Sequence, residues 1–314
     1  MIDFDVTDHG HGIRAIDTGF FRPKFDASHL IIENGRAAFV DVGTTHSVPR
    51  LLDALAQKNL DRADVDYVLL THVHLDHAGG AGALMRELPN ARAIVHPRGA
   101  RHMIDPAQLI AGATAVYGRE EIERSYGDIA AIPAGRVDVA QDGHILELAG
   151  RPLRFLDTPG HARHHFCIHD ERSRAFFTGD TFGLSYREFD TANGEMILPT
   201  STPVQFEPDA LKSSIERMLS YSPQQMFLTH YSRVGHVERL ARDLFEQIDA
   251  MVAIARSHAG DAERHARIAA DLAHLYIARA QAHGCAFGAE RVRELLAMDI
   301  ELNAQGLEVW LDRG

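Results

Sequence analysis

THVHLDHAGG, residues 71–80, puts three histidines and an aspartate within six positions, directly after the apolar run Val68-Leu69-Leu70. Neutral imidazoles and a carboxylate are ligands for zinc, manganese or iron. Side chains two apart on a strand share one face, so His72 and His74 can point the same way as the chain leaves the strand. Asp76 and His77 are then expected in the turn before a helix starting at Gly79-Gly80. One short loop would offer ligands in two directions, which suits two ions better than one. A lone histidine would read as polar filling, but four potential ligands at this spacing read as a metal motif.

Outward from this stretch, short apolar runs alternate with helical patterns up to about residue 235. SHLIIEN (28–34), RAAFVDVG (36–43) and VDYVLLTH (65–72) read as strands. HSVPRLLDALAQKNL (46–60) and HAGGAGALMREL (77–88) read as helices, and ARAIVHP (91–97) as a strand. Residues 104–140 carry mixed signals and are expected to form an insertion of short helices and loops. A second series of strands follows in HILELAG, PLRFLDTPG, HFCIHD and RAFFTGD, then the helix EPDALKSSIERML and a last strand, QQMFLTH. Two strand-rich halves joined by helices predict a layered α/β domain over 1–235. From 236 to 314 the apolar residues recur at helical spacing, as in Val237, Leu240, Leu244, Ile248 and Met251. This second region is expected to be all helical: 236–258, 261–284 with an Asp cap, and 290–311.

The pattern of apolar strand, turn, then ligand recurs. LDTPGH ends on His161, FFTGD on Asp180 and FLTH on His230. Taken singly, Asp180 reads as a turn aspartate and His230 as a strand-end histidine. In series with residues 72–77 they read as one site along a sheet edge.

HxHxDH, TPGH, TGD and TH in this order and at these separations resemble the metallo-β-lactamase-fold hydrolase superfamily, over roughly residues 12–235. The resemblance implies a four-layer αββα sandwich with a metal site on one edge of its two sheets. It further implies that His72, His74 and His161 bind one metal, that Asp76, His77 and His230 bind a second, and that Asp180 bridges the two. FVDVG resembles the family's first motif, which makes Asp41 a support for the ligands. TPGHARHH followed by FTGDTFGLSY is similar to a hydrolase-like branch near glyoxalase II. The Gly-rich stretch after TGD and the basic cluster that would take glutathione carboxylates are both missing. Class B β-lactamases usually lack the histidine at position 77, and flavodiiron proteins usually carry Glu where His74 stands.

The implied chemistry is a hydroxide bridging two divalent ions, most simply zinc with manganese or iron as options. Oriented by Asp76, it would attack an ester, lactone or thioester carbonyl. Tyr231 is a candidate proton donor and Tyr186 a candidate pocket wall. One of the pair His164 and His165 is expected to orient a ligand, taken here as His165, and the other to lie at the surface. Cys167 reads as core, as do Trp310 and the Met251-Val252 stripe. The competing reaction class is a mononuclear iron enzyme resembling the persulfide dioxygenases of the same fold. It would use His72, His161 and Asp180 as a two-histidine-one-carboxylate triad.

Composition narrows the partners. The chain of 314 residues has 44 acidic against 32 basic residues, a formal charge of −12, and its lysines are Lys24, Lys58 and Lys212. Phosphate contacts need clustered Lys and Arg, so a nucleic-acid surface, and with it a nuclease of the RNase Z type, is excluded. Two cysteines, Cys167 and Cys285, imply no disulfide framework. MIDFDVTDHG has no signal-peptide pattern, and no apolar run is long enough to span a membrane. A cytoplasmic protein acting on a small molecule is the resulting expectation; the resemblance adds a homodimer as an option, with the helical tail serving as a lid, a dimer interface or packing over a sandwich face.

Overall fold

The computed structural model describes residues 4–201 and 204–313. Its elements fall into two compact units that do not follow a single cut of the chain. The first gathers Met1–Asp157, His164–Gly179 and Phe227–Arg233; the second gathers Thr158–Arg163, Asp180–Met226 and Val234–Gly314.

In the first unit the chain forms β1 (Val6–Asp8), β2 (Ile13–Asp17), β3 (Ala27–Glu33) and β4 (Arg36–Val40), then α1 (Val48–Ala56) and β5 (Val65–Leu69). The one-turn helix α2 (Leu75–Ala78), α3 (Ala81–Glu87) and β6 (Arg92–Val95) follow. The insertion holds α4 (Ala100–Ile104), α5 (Ala107–Tyr117) and α6 (Arg119–Tyr126), and leads into β7 (Val137–Val139). Then come β8 (Ile145–Leu148), β9 (Arg151–Asp157), β10 (Phe166–Asp170), β11 (Ala175–Gly179), β12 (Gln225–Leu228) and β13 (Ser232–Val234). One sheet runs β1 to β7 in order; the other runs β13-β12-β11-β10-β9-β8.

The core explains the apolar runs. On β3 and β4, Leu30, Ala37 and Phe39 face α1 and α3, packing with Leu51, Leu55, Leu84 and Met85. Their neighbours Ile31, Ala38 and Val40 face the second sheet, packing with Leu153, Phe155, Phe166, Ile168 and Phe177. A strand buried on both faces reads as a continuous apolar stretch rather than an alternating one.

Strands β4, β5 and β6 are parallel, with Val40 opposite Leu69 and Leu69 opposite Ile94. Parallel strands deliver their carboxyl ends to the same sheet edge, so Asp41 and Thr71 leave the sheet side by side. Gly80 fixes what comes next. Its N–H donates to Gly43 O at 2.9 Å, and a Cβ there would fall 2.4 Å from Thr44 O. Only glycine lets the start of α3 approach this loop so closely. Asp76 and His77 lie on α2 itself rather than in a turn before a helix, because the single helical turn comes first.

The second unit is helical: α7 (Pro208–Leu219), α8 (Val237–Ser257), α9 (Arg264–Ala282), α10 (Ala289–Leu295) and α11 (Ala297–Arg313). Leu240, Leu244, Ile248 and Met251 form the buried stripe of α8, as the spacing predicts. Trp310 is only half-buried, with the Arg256 guanidinium 5.5 Å from its ring centre. The last expected helix is two, broken at Leu296, where φ and ψ are −106° and 14°. The expected Asp261 cap is absent: Glu263 occupies the cap position of α9 without a side-chain cap bond, and Asp261 instead faces His258 Nδ1 at 2.9 Å. Among the described residues no helix is long and apolar enough to cross a membrane.

Candidate metal centre

Asp41 is the hub of the first unit's strand ends. It follows β4 with φ of 51° and is 1% exposed. Its Oδ1 accepts from Thr71 N at 2.8 Å, and the Thr71 hydroxyl lies 2.8 Å from Oδ2. Thr229 Oγ1 also donates to Oδ2, at 2.8 Å, and His77 Nδ1 is 2.8 Å from the same oxygen. One buried carboxylate therefore ties together the ends of β4, β5 and β12 and the helix α2.

The histidines of this unit share a pattern. A carboxylate or carbonyl oxygen can only accept a hydrogen bond, so the ring nitrogen facing it carries the proton and the other keeps its lone pair. His77 donates from Nδ1 to Asp41, which leaves the lone pair on Nε2. His230 donates from Nδ1 to Phe25 O at 3.0 Å, leaving Nε2 3.4 Å from Asp76 Oδ2. His77 Nε2 is 3.7 Å from that same Asp76 oxygen. Asp76, His77 and His230 each offer one ligand atom, all within 4.8 Å of one another. His72 Nε2 and His74 Nδ1 approach to 2.7 Å, and the His77 ring centre lies 4.0 Å from that of His72. Imidazole lone pairs with a carboxylate at hand are the donor set of a divalent cation, and these residues fit one.

The second unit holds a pair of its own. His161 follows Gly160, whose φ is 130° and whose carbonyl accepts from Glu207 N at 2.8 Å, next to the start of α7. His161 Nδ1 lies 3.4 Å from Thr200 O, which leaves Nε2 facing Asp180 Oδ2 at 3.3 Å. Both side chains are buried.

Other expected residues fall as follows. His165 is fully buried and stacks on His72, with ring centres 4.8 Å apart and planes at 30°. His164 is not at the surface as expected. It too is buried, with its ring edge-on to His74 at 5.4 Å. The turn before β10 carries both imidazoles inward, where they pack on other rings. Tyr231 is buried. Tyr186 is 1% exposed and its hydroxyl donates to Asp299 Oδ1 at 3.0 Å, which commits it to the interior of the helical unit rather than to an open wall. Cys167 is core, as read. Asp76, with its side chain 25% exposed, is the open member of its group.

Asp26 was not singled out from the sequence. It is fully buried just before β3, and burial pushes its carboxyl up to about 7; the charge of Asp76 adds to this, while His230 and His77 oppose it. A single Asp at the head of a strand looks like ordinary turn chemistry, and nothing local distinguishes it.

The family model described as the metallo-beta-lactamase superfamily matches residues 23–220. A metallo-β-lactamase fold-containing protein of Sulfurisphaera tokodaii is 24% identical over 230 residues, which is 70% of this chain and 78% of that protein. An atrochrysone carboxyl ACP thioesterase of Pseudocercospora fijiensis is 30% identical over 152 residues, 48% of this chain but only 35% of the relative's length. Among solved structures, a beta-lactamase domain protein from Burkholderia ambifaria shares the fold with a TM-score of 0.66 at 19% identity, covering 98% of this chain and 88% of its own.

Proposed function

The chain belongs to the metallo-β-lactamase superfamily, and from that premise we propose that it is a metal-dependent hydrolase of acyl compounds, with thioesters as the leading substrate class. We assign His72, His74 and His161 to one cation, Asp76, His77 and His230 to a second, and Asp180 to both. The observation that carries this reading is the Asp76–His77–His230 group, whose ligand atoms lie within 4.8 Å of one another. The thioesterase name of a fungal relative supports the choice of thioester.

When bound, divalent cations supply Lewis acidity and lower the pKa of water to roughly 7. The protein's part is to hold the donors still and to manage one proton. Asp41 fixes the His77 tautomer, and the Phe25 and Thr200 carbonyls do the same for His230 and His161. Asp76, the solvent-facing carboxylate, orients the attacking water and takes its proton in this reading. The water oxygen bonds to the acyl carbon, the carbon–sulfur bond breaks, and the proton passes to the leaving thiolate, giving a carboxylic acid and a thiol.

The test is hydrolysis of an acyl thioester, an aryl ester and a lactone by protein of defined metal content. Thioester turnover that disappears on chelation and returns with zinc or manganese is the expected result. Fully loaded protein that leaves all three substrates intact would overturn the reading.

A further inference from the structure

Asp26 sits between two residues that are both tied to the end of β12. Ala27 N donates to Thr229 O at 2.8 Å, and Phe25 O accepts from His230 Nδ1 at 3.0 Å. The carboxylate is therefore held in a fixed place beside the strand end that carries His230. The titratable groups that act on it electrostatically are His230, His77 and Asp76, the three members of one group.

Only part of this carboxylate is accounted for by the fold. Oδ2 accepts from Thr18 Oγ1 at 3.1 Å. Oδ1 is buried and has no hydrogen-bond partner. A carboxylate buried with one oxygen unsatisfied destabilises a fold unless positive charge or a donor arrives to meet it. Asparagine would serve the Thr18 bond equally well without burying a charge. Thr18 thus explains the position of Asp26 but not its ionisable oxygen.

We propose that Asp26 is an additional anionic positioning residue of the Asp76–His77–His230 group, and that its Oδ1 serves the outer coordination of a divalent cation held there. The inference rests on the reading that this group holds a cation. It adds to the seven assigned ligands an eighth residue, on a different part of the chain. Its role is to strengthen binding at that one position, while the His72–His74–His161 set is left unaltered.

Zinc titration of metal-free protein, followed by calorimetry and by cobalt absorption spectra, tests it without reference to turnover. Wild type is expected to take two equivalents. Asp26→Asn is expected to bind the first equivalent normally and the second roughly 10–100-fold more weakly, the usual effect of losing an outer-shell partner. The metal-free variant should melt no lower than metal-free wild type, since a buried charge has been removed and the Thr18 bond kept. Thr18→Val, which breaks the hydrogen bond but keeps the carboxylate, is expected to retain the second equivalent within about threefold, the difference expected from a lost hydrogen bond alone. An Asp26→Asn protein with wild-type affinity for both equivalents overturns this inference alone. Equal weakening in both variants also overturns it, because turn geometry rather than charge would then be responsible. A wild type that takes a single equivalent overturns the two-cation assignment and this inference with it.

Discussion

Asp41 Oδ2 lies 2.8 Å from His77 Nδ1, with both side chains buried. The same carboxylate accepts from Thr71 and Thr229, so the residue that fixes a histidine tautomer also holds three chain segments in register. Replacing it with Asn separates these tasks. Asn tolerates the left-handed backbone that Asp41 adopts, but its amide has one acceptor oxygen and must leave some of these donors unmet. Asp41→Asn is expected to lower stability by about 2–4 kcal/mol, at about 1–3 kcal/mol for each unmet buried donor, and zinc affinity by roughly 10–100-fold. Urea unfolding of the metal-free protein and zinc titration measure the two effects separately. A variant as stable and as avid as wild type would remove Asp41 from the centre.

Removing metal should expose the same dependence from the other side. A ligand that binds only the folded state stabilises it by RT ln(1 + [L]/Kd), about 4 kcal/mol at a thousandfold excess over Kd. Several buried imidazoles lose their cation on chelation, so the melting temperature should drop by several degrees and recover on adding zinc. Metal content of the purified protein also decides the reaction class: two zinc or manganese ions per chain favour hydrolysis, whereas one iron with oxygen uptake on a persulfide favours the dioxygenase.

How far the centre could be read from residues alone follows from what holds it. His72, His74, Asp76 and His77 are close in sequence, and His161, Asp180 and His230 each follow an apolar strand, so the candidate list could be drawn from sequence. Of the groups that orient these side chains, Asp41 was named from FVDVG, but Phe25 and Thr200 were not. Phe25 and Thr200 act through backbone carbonyls, and every residue type has one. In the fold, β3 and β4 announced themselves because both faces are buried. The five residues of β2, interrupted by Arg14 and closed by Asp17, carry no such run, and β1, β7 and β13 span three residues each. The break between α10 and α11 at Leu296 has neither Gly nor Pro to mark it.

Two histidines of the helical unit predict a pH dependence of stability. His258 has Asp261 and Asp271 on its two ring nitrogens, at 2.9 and 2.8 Å. Those two carboxylates, Asp271 foremost, raise its pKa. His265 of α9 meets Glu308 at 2.8 Å and Glu301 at 3.1 Å on α11; burial pulls its pKa down, but the two glutamates raise it overall. Both contacts on each ring need the imidazolium, which has two N–H donors. A raised folded-state pKa contributes stability that is fully present below the ordinary histidine value and fades as pH rises through the folded value. The double variant His258→Gln, His265→Gln should therefore melt below wild type at pH 6 and converge with it by pH 9. A gap that stays constant over that range would count against the charged pairs.

Tyr186→Phe separates packing from substrate contact. The Tyr186 hydroxyl donates to Asp299 within the interior of the helical unit. Losing it should cost about 1–3 kcal/mol, because Asp299 keeps a buried acceptor without that donor. Thermal unfolding should register this while KM for a thioester stays constant. A raised KM at unchanged stability would return Tyr186 to the pocket.

Gly160 is the turn residue on which His161 depends. Its φ is 130°, and a Cβ would lie 2.3 Å from both Leu211 N and Leu211 Cα, backbone atoms of α7 that cannot rotate away. Gly160→Ala must therefore displace either α7 or the turn, with strain and overlap together costing about 2–4 kcal/mol. Either movement carries His161 Nε2 from its place 3.3 Å from Asp180, so zinc affinity should fall with stability. Gly112→Ala is the control: it lies in α5 with open space around a would-be Cβ, and alanine there should be neutral or stabilising by about 0.5–1 kcal/mol. If Gly160→Ala instead melts with wild type and binds zinc as tightly, the turn does not position His161, and the histidine must be held by α7 and the Thr200 carbonyl alone.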